Sequence, residues 1–292
     1  MTLTPAQIES YERDGYLIVR DVLTPSDMAE IRGAADHFAR QALDLTEDSD
    51  VIELDDSAQL ADGPPLIRRL KSPHTNHEAF AKALAHPGIL DVVEDLIGHD
   101  IRWFHSKLNA KQPGGGGIGE WHTDWGYYPY TNDSVLEVGI AIDPCTEASG
   151  CMLVVPGTHT GRAYDHSQNG RFVGGVRPGE FDPDDVVPVE IMPGDISLHH
   201  VRLLHASAQN HTTHQRRLLL HGYAAADAWP LMARAQPSDW PEWDDQILRG
   251  SPTAYARMEA CPVAIPLPDP PAFGLFKLQA QMEESHFSAD PQ

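Results

Sequence analysis

A histidine and an aspartate one residue apart, with a second histidine far downstream, form the pattern with the most chemical content. The pair is His122 and Asp124, and the distant residue is His205, within a Leu-Leu-His-Ala-Ser stretch. Two imidazoles and one carboxylate are the facial-triad ligand set, which binds Fe(II) and leaves positions open for O₂ and a co-substrate. The spacing fits a strand edge, because residues i and i+2 point to one face. The pattern predicts a non-haem iron centre.

Each of these residues, taken alone, also fits an ordinary structural role as a buried imidazole or a turn-capping carboxylate. The wider context favours the metal centre. Arg216 follows His205 by eleven residues, and Asn109 precedes His122 by thirteen. With the Asp-Gly-Tyr sequence at 14–16 and the stretch 150–159, these motifs resemble the phytanoyl-CoA dioxygenase family of iron(II)/2-oxoglutarate oxygenases, which includes the bacterial ectoine hydroxylases. The resemblance extends over about residues 8–227.

The resemblance implies a role for each motif residue. His122, Asp124 and His205 correspond to the iron ligands. Arg216 corresponds to the residue that binds the distal carboxylate of 2-oxoglutarate, which suits a planar guanidinium with paired donors. Asn109 resembles the amide at the chelating end of the co-substrate, and Ser207 is placed to donate a hydroxyl to the distal carboxylate. The implied reaction hydroxylates an aliphatic C–H of a small molecule and releases succinate and CO₂.

The substrate contacts are predicted from neighbouring positions. Lys107 and His105 alternate with Asn109 along one predicted strand, so all three side chains are expected to face inward and to bind an anionic or polar group. Aromatic residues directly after the ligand pair are expected to form a wall over the iron. His200 is predicted to line the site, and His199 to face away by strand alternation. The candidate substrate residues are Lys107, His105, Trp125, Tyr127, His200 and Phe172.

The helices and strands that must position these residues are predicted from the residues that begin, end or separate them. Cap signals at Thr4-Pro5 and Thr24-Pro25 predict two N-terminal helices, and a longer helix is expected over 77–96. Short strand candidates separated by Pro, Gly and Asp follow from residue 101 to 224. We therefore expect a mainly β protein with flanking helices and a double-stranded β-helix (jelly-roll, cupin-like) core. A single domain is expected over 1–292, with a helical part (1–100), the core with both ligand motifs (101–227) and a C-terminal cap (228–292).

Charge and cysteine content narrow the function classes. The chain has 43 acidic and 21 basic residues, a net charge of −22, which argues against nucleic acid or an anionic membrane surface as partner. Three cysteines without a Cys-x-x-Cys spacing argue against a disulfide framework, so a cytoplasmic location is expected. The expected partner is a small-molecule substrate, and the sequence does not define the oligomeric state.

Three other outcomes fit the same motifs. An enzyme with the same iron and 2-oxoglutarate chemistry could cyclise, desaturate or epimerise its substrate instead of hydroxylating it. A cupin could bind metal without using 2-oxoglutarate. A metal-assisted isomerase or hydrolase would need neither O₂ nor 2-oxoglutarate.

Overall fold

The computed structural model describes residues 2–55, 66–267 and 275–287, except for the side chains of Arg234 and Lys277. The helices of these ranges are α1 (Pro5–Asp14), α2 (Pro25–Ala42), α3 (Pro73–Asn76), α4 (Glu78–Leu84), α5 (Pro87–Ile97), α6 (Trp240–Asp244) and α7 (Leu275–Gln279). The strands are β1 (Tyr16–Val19), β2 (Ile52–Leu54), β3 (Ile67–Lys71), β4 (Ile101–Lys111), β5 (Gly119–His122), β6 (Val135–Ala141), β7 (Met152–Val154), β8 (Ser167–Gln168), β9 (Arg171–Phe172), β10 (Val187–Val189), β11 (Ile196–His200), β12 (His205–Ser207), β13 (Arg216–Ala225) and β14 (Ile247–Arg249).

Two antiparallel sheets form the core. The larger has the strand order β1-β11-β6-β13-β4-β3-β2, with β14 also paired to β4. The smaller has the order β10-β7-β12-β5, and β8 and β9 form a separate hairpin. Apolar side chains from the two sheets share a core cluster, which contains Leu218 and Leu220 of β13 and against which Leu153 of β7 packs. This arrangement is the expected double-stranded β-helix with flanking helices.

The N-terminal helices cover the outer face of the larger sheet. Thr4 and Thr24 form capping boxes, each followed by proline in the first turn, so both helices begin as predicted. Buried residues of α2 and α5 join a core cluster with the outward residues of β6 and β13, among them Ile140 and Leu219. Because this face is covered by helices, the polar residues of the same strands face the interior between the sheets.

The single helix expected over 77–96 is wrong in its extent. The chain forms α4 and α5 with a break at His86-Pro87, because a proline at the start of α5 cannot continue the hydrogen bonding of the preceding helix. Near the end of the described ranges, α7 is short and ends at Gln279. None of the helices in the described ranges is long and apolar enough to cross a membrane.

Candidate metal and co-substrate site

The ligand residues come from two adjacent strands of the smaller sheet and the turn that follows one of them. His122 is the last residue of β5 and is directly paired with His205 at the start of β12. Asp124 begins a short 3-10 turn, Asp124–Gly126, after β5 has ended. The prediction that His122 and Asp124 share a strand edge is therefore wrong in detail, since the turn and not strand alternation directs the carboxylate.

The three side chains converge at one buried point. Nε2 of His122 lies 4.0 Å from Oδ1 of Asp124, and Nε2 of His205 lies 4.0 Å from Oδ2 of the same carboxylate. The two imidazole rings are 4.2 Å apart between centroids. These donor atoms form one group that could hold a metal ion, and all three residues are buried.

Backbone carbonyl groups near each ligand orient both imidazoles for metal binding. Nδ1 of His122 is 2.6 Å from the carbonyl of Glu120, and Nδ1 of His205 is 3.0 Å from that of Leu203. Because a carbonyl can only accept, Nδ1 carries the proton and Nε2 keeps its lone pair. Burial lowers the pKa of His205 to about 4 and holds the pKa of His122 well below its usual value. Both rings are thus neutral ligands near pH 7.

His199 supports the carboxylate ligand, contrary to the predicted orientation of β11. Its Nε2 is 3.2 Å from Oδ2 of Asp124, and its ring is 4.6 Å from that of His205. The ring of His200 instead lies near Tyr11 and His159, with Nε2 4.0 Å from Asp133. The alternation was predicted correctly, but it was assigned to the wrong histidine of the pair.

His166 fixes the backbone between the ligands and was not identified from the sequence. Its Nε2 accepts a hydrogen bond of 2.9 Å from the backbone N–H of Thr123, and its Nδ1 donates to the carbonyl of Tyr164. A side chain on Gly126 would come within 2.6 Å of the His166 ring, so glycine is required there for close packing. Burial lowers the pKa of His166 to about 4, which keeps it an acceptor at neutral pH.

A cavity of about 100 Å³ opens beside the ligands and contains cations at its far end. Arg216 and Lys111 both line it, and burial lowers the pKa of each. Nζ of Lys111 donates to the carbonyls of Gly117 and Ser207, and Nη2 of Arg216 donates to that of Gly150. Nε of Arg216 has no hydrogen-bond partner, and neither cation forms an ion pair with a carboxylate of the described ranges. The ammonium of Lys111 also donates to the carbonyl of Ala208, so its three donors are all used, whereas Arg216 keeps a free Nε donor. The buried guanidinium of Arg216 therefore makes this end an anion site.

The other polar residues of the cavity lie between this anion site and the ligands. Asn109, Ser207 and Lys107 line its wall, and Oδ1 of Asn109 is buried without a partner. Arg69, which belongs to no recognised motif, also lines the cavity and is paired at 2.6 Å with Glu53. Leu275 and Phe276 of α7 close one side, so the C-terminal segment contributes directly to the site.

The remaining substrate candidates divide into two groups. His105 does not line the cavity but contacts Glu137, in the row next to Lys107 on the same face. Trp125, Tyr127 and Phe172 do not line the cavity. Nε1 of Trp125 donates to the carbonyl of Pro262, while Tyr127 donates to that of Gly174 and packs against Phe172. Trp125 and Tyr127 lie in and directly after the 3-10 turn that begins at Asp124, whereas Phe172 lies on β9.

The donor set and the cavity fit iron and 2-oxoglutarate. Two neutral imidazoles and one carboxylate are held within reach of one ion, which is the borderline N/O chemistry preferred by Fe(II). The cations at the far end match a dicarboxylate whose other end chelates the metal. The fold and the site together define an Fe(II)/2-oxoglutarate-dependent dioxygenase.

Comparisons with known proteins support the same class of enzyme. Residues 11–218 match the phytanoyl-CoA dioxygenase (PhyH) family model, and the chain belongs to this family. A probable alpha-ketoglutarate-dependent hypophosphite dioxygenase of Stutzerimonas stutzeri is 32% identical over 268 residues, covering 90% of this chain and 92% of the relative. The peroxisomal phytanoyl-CoA dioxygenase of Homo sapiens is 27% identical over 238 residues, covering 77% and 69%. The crystal structure of EctD from S. alaskensis with 2-oxoglutarate and 5-hydroxyectoine superposes with a TM-score of 0.64 at 21% identity, covering 90% and 89%.

Proposed function

We propose that this dioxygenase hydroxylates an aliphatic C–H of a small anionic molecule and that Lys107 binds the anionic group. The observation that carries the proposal is the position of Lys107. Its side chain lines the cavity beside Asp124, and it forms no ion pair with a carboxylate of the described ranges. An ammonium group beside the metal ligands favours a substrate that carries an oxyanion.

We assign the other roles from the geometry of the same cavity. His122, Asp124 and His205 would hold iron, and Arg216 with Ser207 would bind the distal carboxylate of 2-oxoglutarate. Asn109 would donate a hydrogen bond from its side-chain amide to the chelating end of the co-substrate. When bound, iron supplies the oxidising power from O₂ and 2-oxoglutarate. The chain itself would hold the substrate and the co-substrate in the cavity beside the ligands, keep Asp124 oriented and exclude water.

A second candidate reaction is oxidation of a small phosphorus oxyanion such as hypophosphite. It is favoured by the relative from Stutzerimonas stutzeri, which is similar along nearly its whole length. Lys107 would serve the same purpose in this reaction, because an ammonium binds phosphorus and carbon oxyanions alike. The two candidates differ in the bond that is oxidised, P–H or C–H.

The test is succinate formation from 2-oxoglutarate in the presence of hypophosphite and of small phosphonates, sulfonates and carboxylates. At least one of these anions should raise succinate formation above the background without substrate. Lys107→Met should raise the KM for that anion by about 10- to 100-fold, since a charge-assisted hydrogen bond is worth roughly 1.5–3 kcal/mol.

Lys82→Met is the matched control, because Lys82 is an exposed lysine on α4 paired with Glu78 and Glu30. Its kinetics should equal those of the unaltered protein. An unchanged KM in Lys107→Met, with the affinity for 2-oxoglutarate also unchanged, would refute the role of Lys107. If no small anion stimulates succinate formation in the unaltered protein, the proposed function itself fails.

A further inference from the structure

A buried carboxylate lies near the metal site, and the reaction as described does not use it. Glu137, in the middle of β6, has no exposed surface. Its Oε1 accepts a hydrogen bond of 3.1 Å from the hydroxyl of Tyr128 and is in contact with Nε2 of His105. Its other oxygen, Oε2, is buried and has no hydrogen-bond partner. A buried carboxylate oxygen without a donor is costly, so a partner supplied by a ligand is the natural explanation.

Strand register places Glu137 on the same face as the cavity residues. Glu137 is paired with His199 of β11 on one side and with Gly222 of β13 on the other, and Gly222 is paired with His105 of β4. Leu220 and Lys107, two residues further along β13 and β4, form the next row on that face, and both line the cavity. Since side chains alternate along a strand, Glu137 and Lys107 point to the same side of the sheet.

Glu137 and Lys107 form an acidic and a basic pole on that face. Burial raises the pKa of Glu137, but the charges of His105 and then Lys107 outweigh it and keep that pKa below its usual value. Their strands are separated by β13 alone, a backbone distance of about 10 Å that the two side chains partly span. Lys107 lines the cavity, and Glu137 lies beyond the lining residues in the next row of the same face. A molecule of a few heavy atoms would be long enough to bind both charges.

Aromatic rings complete the acidic end. The ring of Tyr128 is 5.3 Å from that of Phe104 and 5.5 Å from that of His105. Gly222 allows this packing, because a side chain there would come within 2.5 Å of Phe104. A carboxylate beside aromatic rings is the combination that attracts an ammonium group, through charge and through the ring faces.

We infer that the substrate is a small zwitterion, whose protonated amine is bound by Glu137 while its oxyanion is bound by Lys107. The inference rests on the proposed function, which supplies the anionic end, and adds the cationic end. Glu137 thus acts as a specificity-determining residue: it favours an amine-bearing anion over the same anion without nitrogen.

The experiment compares three pairs of two-carbon compounds that differ only in the amine. These are 2-aminoethylphosphonate and ethylphosphonate, 2-aminoethanesulfonate and ethanesulfonate, and 3-aminopropanoate and propanoate. Dissociation constants are measured by anaerobic calorimetry on the protein loaded with Fe(II) and 2-oxoglutarate, and succinate formation is measured in air. For at least one pair the amine should bind at least 10-fold more tightly.

Glu137→Gln should reduce that preference to within about 2-fold, because the amide keeps the bond from Tyr128 but lacks the charge. The affinity for 2-oxoglutarate should not change. Asp195→Asn is the control: Asp195 is also buried and paired with Arg20, but it lies in the turn before β11, away from the cavity. Its variant should keep the full amine preference.

Equal or tighter binding of the amine-free member in every pair would overturn the inference, and so would binding of no amine at all. These results need no variant, so they stand even if Glu137→Gln does not fold. Lys107-dependent oxidation of hypophosphite or an amine-free anion would then leave the proposed function intact while the zwitterion inference fails.

Discussion

The metal ligands show how backbone carbonyls can select the reactive nitrogen of an imidazole. In His122 and His205 the carbonyl two residues earlier in the chain fixes the proton on Nδ1. The lone pair of Nε2 is therefore directed towards Asp124 in both residues. Asp124 cannot be fixed in this way, and a third histidine, His199, holds it through Oδ2. A residue beyond the ligand motif thus determines the geometry of the site.

This arrangement predicts a positioning role for His199. His199→Leu should weaken Fe(II) binding by about 10- to 100-fold, because loss of an outer hydrogen bond to a ligand has that effect in metal sites. His199→Gln should restore part of the affinity, since its amide can still donate to Asp124. The measurement is an anaerobic Fe(II) titration of the apo-protein. Equal affinity in His199→Leu and the unaltered protein would show that Asp124 needs no such support.

At the scale of the elements, the C-terminal segment closes the site. Gln279 accepts from the backbone N–H of Glu120 and donates to the carbonyl of Gly174, and Gln168 accepts from the N–H of Glu283. These bonds hold the segment against β5, the strand that ends with the ligand His122. Residues 275 and 276 reach the cavity as a result.

Removal of residues 268–292 should therefore weaken the binding of 2-oxoglutarate. We expect the dissociation constant to rise about 10-fold, as water gains access to the cations at the end of the cavity. Gln279→Ala should show a smaller effect in the same direction. Anaerobic calorimetry on the Fe(II)-loaded protein measures both. Unchanged affinity in the truncated chain would mean that the segment covers the cavity without contributing to binding.

The sequence predicted side-chain directions correctly for the residues that lie on regular strands. Arg216, Asn109 and Lys107 lie on β13 and β4, whose alternation is unbroken at these positions, so their inward direction followed from the pattern. It failed where a turn or a long-range contact sets the direction. Trp125 and Tyr127 follow a 3-10 turn, and the choice between His199 and His200 depends on the position of Asp124, which no local pattern reveals.

Residues that support the site from other parts of the chain were also missed. His166, Glu137 and Arg69 carry no motif, and each acts through a partner distant in sequence. The closing segment lies beyond the part of the chain that the motifs cover. The fold was accessible from the spacing of short strands, whereas these contacts depend on tertiary packing.

At the scale of the whole molecule, a large net negative charge is combined with buried basic side chains. The net charge is −22, yet the cavity contains Arg216 and Lys111 without carboxylate partners in the described ranges. Several histidines are also buried and held neutral. Burial lowers the pKa of His166 to about 4 and the pKa values of His200 and His221 to about 3.

These histidines predict acid sensitivity of the apo-protein. The unfolded chain titrates near 6.5, so between pH 6.5 and 4 it binds more protons than the folded chain and stability falls as pH decreases. If at least two protons are taken up, the free energy of unfolding drops by about 2.7 kcal/mol per pH unit in that window. Urea unfolding midpoints from pH 7.5 to 5 measure the effect.

His221→Leu provides the internal control, because both ring nitrogens of His221 lack hydrogen-bond partners. The variant should reduce the pH dependence by about one proton. A midpoint that is constant down to pH 5 would show that the buried histidines do not govern stability.

The most direct test of the account is an anaerobic titration of the apo-protein with Fe(II) and 2-oxoglutarate, followed by the weak visible charge-transfer band of the chelate. The unaltered protein should develop the band, and His205→Ala should not. Arg216→Gln should need at least about 30-fold more 2-oxoglutarate, since a buried charge left unpaired costs roughly 2–5 kcal/mol. Arg217→Gln, the adjacent arginine paired with Asp143 and Asp36 on the opposite face, should titrate normally. No band with iron bound, or equal affinity in Arg216→Gln, would contradict the assignment of this cavity to 2-oxoglutarate.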